Sequence, residues 1–125
     1  SPSMNIVEGR ISGEGSLCFG GTSVPASPLG AWAAPDRRLK VGLRPQDLMV
    51  GAPSPGAGAT LSGTVTAVEP LGSETLVHMQ IGSEEIVATA PGRVVPAVDT
   101  RVTAFTAPGT LHIFDSETGK AIARL

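Results

Sequence analysis

The chain has 125 residues, 41% of them apolar and 16% charged, with nine Lys and Arg against eleven Asp and Glu and a formal net charge of −2. That length fits one domain, since domains run about 100–200 residues, and so few scattered cations exclude the clustered basic footprint of a nucleic-acid binder. Only 3% of the residues are aromatic, with one Trp, three Phe and no Tyr, so the core must be built from Val, Ile, Leu and Ala.

Sixteen Gly and eleven Pro punctuate the chain in the manner of short strands joined by tight turns rather than helices. An all-β domain is expected. The single Cys18 leaves no partner for an intrachain disulfide and points to a reducing compartment. No stretch approaches the roughly 18 apolar residues of a membrane span, and no charged-then-apolar leader opens the chain. A soluble, cytoplasmic location is expected.

In chain order, Met4 to Ile11 predicts a first strand and Gly15 to Phe19 a second, with Gly20-Gly21 as a turn before Thr22 to Pro25. Ala26 to Asp36 is loop chemistry around Trp32. Leu39, Val41 and Leu43 alternate with Lys40, Gly42 and Arg44, the period of two that marks a half-buried strand. Pro45 holds Arg44 extended, and Pro45, Gln46 and Asp47 can open a short helical turn. Gly51 to Gly58, GAPSPGAG, has side chains too small to pack a core and predicts a mobile loop between two lobes, residues 1–50 and 59–125.

Beyond that loop Leu61, Gly63, Val65 and Ala67 alternate with Ser62, Thr64 and Thr66, giving a strand that breaks at Glu69-Pro70. It turns through Leu71-Gly72-Ser73 and resumes as Thr75 to Ile81. Ile86, Ala88 and Ala90 continue the alternation until Pro91-Gly92 ends it. Val102 and Ala104 make another short strand, and Leu111 to Phe114 a last one before the Asp115 to Gly119 turn. About eight to ten short strands without a long helix predict one or two small barrels or a sandwich.

The residues that could carry chemistry are sparse. The phosphate-cradling pattern G-x-x-x-x-G-K-[ST] fails at Thr118-Gly119-Lys120, because Phe114 stands at the first Gly and Ala121 replaces the hydroxyl residue. No ATP binding by this chain is expected. His78 and His112 stand far apart on predicted outward faces and are read as surface histidines rather than zinc ligands, which come in sets of four. Glu84-Glu85 lacks a nucleophile or pocket to work with. Asp36-Arg37-Arg38 with Lys40 reads as a wet strand edge that discourages sheet-to-sheet pairing. Glu69, Pro70, Gly72 and Glu74 form a denser group. Pro70 stops a strand and Gly72 supplies a positive φ, but a turn alone does not require both acids.

Four segments carry a resemblance: SPSMN at the start, GLRPQDL at Gly42 to Leu48, VEPLGSET at Val68 to Thr75, and LHIFDSETGKAI at Leu111 to Ile122. In this order, over nearly the whole chain, they resemble the C-terminal domain of the ATP-binding subunits of sugar-importing ABC transporters, the family of the maltose importer's ATPase. The opening is similar to the family's S-P-x-M-N, which follows its ATPase domain, so the resemblance implies a fragment whose ATPase half is absent. Gly42-Leu43-Arg44-Pro45 with Asp47 matches G-[IL]-R-P-E-[DH]-L. Glu69, Leu71-Gly72, Glu74 and Thr75 match E-x-L-G-x-E-T. Gln46 departs from the family's Glu.

What the resemblance implies is an OB-like barrel of the transport-associated (TOBE) type that regulates and holds together the two ATP-binding subunits, and performs no chemistry. Its implied partners are a second copy, its own ATPase domain, the importer's transmembrane subunits and regulatory proteins, with no nucleic acid. ATP and Mg²⁺ would bind the ATPase domain, leaving no cofactor here, and the assembly would sit on the inner face of the cell membrane. The transported solute would be chosen by other subunits. Arg44, Pro45, Asp47, Glu69, Gly72, Glu74 and Thr75 are the candidate interface residues, with Glu69 and Glu74 expected to accept hydrogen bonds or a bidentate Arg, from Arg44 or from a partner. Two other readings belong to related barrels. One is oxyanion binding of the molybdate type through backbone N–H groups and hydroxyls, although the opening does not resemble the S-A-R-N of those binders. The other is oligonucleotide or oligosaccharide binding on an OB face, which needs aromatic platforms scarce here.

Overall fold

The structure, a computed structural model, describes residues 3–125. Ser1 and Pro2 of the SPSMN segment lie outside the described residues. Six strands form one sheet: β1 (Asn5–Ile11), β2 (Ser16–Phe19), β3 (Thr22–Pro25), β4 (Arg38–Leu43), β10 (His112–Asp115) and β11 (Ala121–Arg124), in the order β11-β10-β4-β1-β2-β3. The other five close into a barrel: β5 (Leu48–Val50), β6 (Thr60–Pro70), β7 (Glu74–Ile81), β8 (Glu84–Pro91) and β9 (Arg101–Thr106), in the order β5-β8-β7-β6-β9. Short β5 closes the ring, parallel to β8 through Met49 and Thr89 and antiparallel to β9 through Leu48 and Thr106. The expected all-β, small-barrel architecture is what forms.

The alternation places the core. Val7 and Ile11, Leu17 and Phe19, and Leu39, Val41 and Leu43 point inward from the sheet, while Leu61, Val65, Val77, Met79, Ile86, Ala88 and Ala90 fill the barrel. All belong to one apolar cluster that also takes in Leu111 and Ile113. Each fully buried Leu or Ile contributes roughly 1.5–3 kcal/mol, which is how a chain with four aromatic residues can hold eleven strands together.

Three expectations need correction. The sheets do not coincide with residues 1–50 and 59–125, because β5 precedes the GAPSPGAG loop yet lies in the barrel, and β10 and β11 return from the C-terminal end to extend β4. Neither β5 nor β11 was legible as a strand, since a three-residue strand after a Pro turn and an Ala-Ile-Ala-Arg segment show almost no period. Thirdly, Ala67 is exposed rather than inward. The ladder between β6 and β7 skips Thr66, and such a bulge reverses the side-chain phase beyond it. Thr66 uses its freedom to donate from Oγ1 to Glu85 Oε2 at 3.0 Å.

Candidate functional site

The VEPLGSET segment is the β6–β7 hairpin. Pro70 pairs with Thr75, Leu71 N–H donates to Glu74 O at 2.8 Å, and Gly72 takes φ 95°, the left-handed value its sequence position implied. The loop after β8 is stitched against this turn: Gly92 N–H donates to Ser73 O at 3.2 Å. A Cβ on Gly92 would be driven into the Gly72 carbonyl oxygen. The loop then crosses the edge of β6 that β9 has not reached, and Asp99 N–H donates to Val65 O at 2.8 Å.

The turn and the loop after β8 expose apolar side chains. Leu71 is 49% exposed, Val94 37%, Val95 53% and Val98 49%. Glu69 is exposed and Glu74 half-buried. Among the described residues neither carboxylate forms an ion pair, so the Arg44 partnership considered for them is not made; elsewhere His78 Nδ1 lies 3.7 Å from Glu85 Oε1. Thr75 is fully buried, and its Oγ1 has no hydrogen-bond partner.

Arg44, Pro45 and Asp47 lie elsewhere, at the junction between sheet and barrel. Pro45 to Asp47 form the expected 3-10 turn, and Asp47 N–H donates to Arg44 O at 2.9 Å. Pro45 is buried, and its carbonyl accepts from Thr89 Oγ1 at 2.7 Å. Among the described residues no ion pair joins the two motifs. GLRPQDL is a joint, and VEPLGSET is a surface.

Strand β8 gathers the contacts of that joint. Glu84 Oε2 accepts from Glu8 N–H at 3.0 Å, Val87 bonds the Asn5 side chain, and Thr89 reaches Pro45. Asn5 was the residue that sequence reading undervalued. It closes the SPSMN segment, and its Nδ2 donates to both Leu43 O and Val87 O at 2.9 Å.

The histidines differ from expectation. Both are half-buried rather than freely solvated, and His112 Nε2 is buried without a partner. Burial lowers the His112 pKa from 6.5, and the cations Arg124 and Arg44 add to this against an opposing effect of Asp47. Among the described residues no cluster of three or more His, Cys, Asp or Glu comes together as a metal site. Among the described residues no helix is long and apolar enough to cross a membrane. An open cleft of about 590 Å³ is lined by Asp36, Arg37, Arg38, Asp115 and Glu117, and the Arg37 guanidinium lies 5.0 Å from the Trp32 ring centre.

Known proteins agree with this geometry. The family model of the MalK OB fold domain matches residues 1–48, and that of the TOBE domain matches residues 41–114. Curated relatives include the sulfoquinovosyl glycerol transport ATP-binding protein SmoE of Agrobacterium fabrum, 30% identical over 98% of this chain and 34% of that protein. The sn-glycerol-3-phosphate import ATP-binding protein UgpC of Burkholderia lata is 36% identical over 96% of this chain and 34% of its own length. The diacetylchitobiose uptake system ATP-binding protein MsiK of Streptomyces coelicolor is 31% identical over 98% and 37%. The chain thus spans about a third of the length of these relatives. Among solved structures, the cytoplasmic molybdate-binding protein ModG matches with a TM-score of 0.69 over 87% of this chain and 94% of its own, at 14% identity, a likeness of fold. With strand order, motifs and family matches in accord, the chain belongs to the TOBE domain family, as a non-catalytic OB-type domain of the kind carried by ABC importer ATP-binding proteins.

Proposed function

We propose that this chain is the regulatory and dimer-stabilising domain of the ATP-binding subunit of an ABC importer for a sugar or a related polar solute. The observation that carries the reading is the pair of family matches, which together run from residue 1 to residue 114, supported by relatives whose names are those of import ATP-binding proteins. In this role the domain does no chemistry. ATP and Mg²⁺ are handled by an ATPase domain, and transmembrane subunits hold the assembly at the inner face of the cell membrane. The barrel end formed by Leu71, Val94, Val95 and Val98 beside Glu69 and Glu74 is the face offered to a second copy. It combines exposed apolar area with carboxylates that have no internal ion pair, the pairing expected of an interface centre and its polar rim.

A chimera tests this. This chain replaces the matching third of the Burkholderia lata relative, and the assembled importer is assayed for solute-stimulated ATP hydrolysis and for subunit pairing by sedimentation. The chimera should pair and hydrolyse ATP, and Val95→Asp should weaken both severalfold while the domain itself stays folded. A chimera that pairs equally well with Val95→Asp, or with the domain removed, would refute the dimer-stabilising role.

A further inference from the structure

The outward face of the six-stranded sheet is electrically unlike the rest of the molecule. Alternation sends Arg10 from β1, Arg38 and Lys40 from β4, and Arg124 from β11 to this side, where the strands contribute Glu8 as the one carboxylate among the described residues. The chain as a whole nevertheless carries a formal charge of −2. Lys40 stands directly opposite Glu8 across the β1–β4 ladder, a favourable pairing. The next outward pair is Arg10 opposite Arg38. Like charges in directly facing positions destabilise a sheet, and no Lys or Arg forms an ion pair among the described residues.

Neighbouring acids form no ion pair with either guanidinium among the described residues. Arg38 also borders the cleft containing Asp36, Asp115 and Glu117, where the Asp115 carboxylate accepts from Thr118 Oγ1 at 2.8 Å and from Glu117 N–H at 3.3 Å. On the other side of Arg10 the facing residue is Cys18, whose exposed thiol adds a weak donor and no charge. Arg10, Arg38, Cys18, Gly9 and Glu8 line a cleft of about 410 Å³, within the range of small-ligand sites.

We propose that Arg10 and Arg38 form an anion site on this sheet face, taking a small dianionic oxyanion of the phosphate class, free or as a phosphomonoester. Two guanidinium groups leaving facing positions of one ladder can converge on a single tetrahedral anion, each offering a two-pronged set of N–H donors. Binding removes the repulsion that the free protein carries. As a place where an effector acts on the importer's ATPase the site rests on the function proposed above; anion binding itself does not.

The test uses this 125-residue chain and isothermal titration calorimetry with inorganic phosphate and, separately, methyl phosphate, at constant ionic strength set by chloride so that screening is matched. Saturable one-site binding is expected, with Arg10→Gln and Arg38→Gln each weakening it about tenfold or more. Arg93→Gln, in the loop after β8, should leave it unchanged. Tighter binding of one titrant identifies the source as free anion or ester. In the absence of phosphate both Arg10→Gln and Arg38→Gln should raise the melting temperature at low salt, which shows that the variants fold and that the repulsion is real. Absence of saturable binding, or equal losses in Arg93→Gln and Arg10→Gln, would overturn the assignment.

Discussion

Asn5 and Val87 bond each other twice, side chain to backbone: Val87 N–H donates to Asn5 Oδ1 at 2.8 Å, and Asn5 Nδ2 donates to Val87 O at 2.9 Å. The carboxamide copies the N–H and C=O of an extended residue. It does so beyond the point where β5, which pairs with β8 at Thr89, has ended. The same Nδ2 reaches Leu43 O, so one side chain ties β1, β4 and β8 together across 82 residues of sequence.

Asn5→Ala should therefore destabilise the fold by about 2–3 kcal/mol, since three part-buried hydrogen bonds contribute roughly 1 kcal/mol each. Asn5→Asp should cost at least as much, because a carboxylate cannot donate to two carbonyl oxygens. Urea unfolding measures both, and a loss below 0.5 kcal/mol (~, within the scatter of surface substitutions) would show that the clamp is ornamental.

Gly92 is required for space rather than for its backbone angle. A methyl group there meets the Gly72 carbonyl, which belongs to a hairpin and cannot rotate away. Gly92→Ala should cost about 1–3 kcal/mol, the usual range for overpacking, and should raise proteolytic cutting in the 92–98 loop. Gly109→Ala, by comparison, meets no neighbour but strains a positive φ of 82°, so it should cost stability without exposing that loop.

Thr75 has the opposite sign. Its hydroxyl is buried without a partner, an arrangement that costs about 1–3 kcal/mol of desolvation. Thr75→Val should leave stability unchanged or raise it by about 1 kcal/mol. A marked loss in thermal unfolding would show that the hydroxyl is satisfied inside the barrel and that its burial carries no such cost.

His112 supplies a pH dependence. Its folded pKa lies below the unfolded value near 6.5, chiefly through burial and then through Arg124 and Arg44. Between those two values the unfolded chain binds more protons than the folded one, so stability rises with pH there. Stability should fall as pH drops through 6.5 toward the lowered folded value, then lose this contribution to the slope below it. Denaturation midpoints measured across this window should show the slope in the wild type and a flatter profile in His112→Gln. An unchanged slope would place the titration elsewhere.

The strands with clear alternation were legible residue by residue. Leu39, Val41 and Leu43 are buried, as are Ile86, Ala88 and Ala90, because a period of two leaves one register that covers the apolar side chains. Gly72 and Pro45 were legible as turn residues for the same local reason. Of the candidate surface, the exposed Glu69 and the hairpin itself could be read in advance, whereas Val94, Val95 and Val98 gave no signal, because three valines in a Pro-bounded stretch look the same buried or exposed.

The linear chain determined the class of fold, the positions of most turns and the absence of a phosphate-cradling loop, all of which depend on neighbours a few residues apart. Tertiary structure alone decided that β10 and β11 would cross over to β4, that Asn5 would hold Val87, and that Arg10 would face Arg38. Those outcomes depend on which strand edges are left unpaired when the barrel closes, and an unpaired N–H or C=O must find a partner wherever the folded chain brings one. Local periodicity carries no record of that choice.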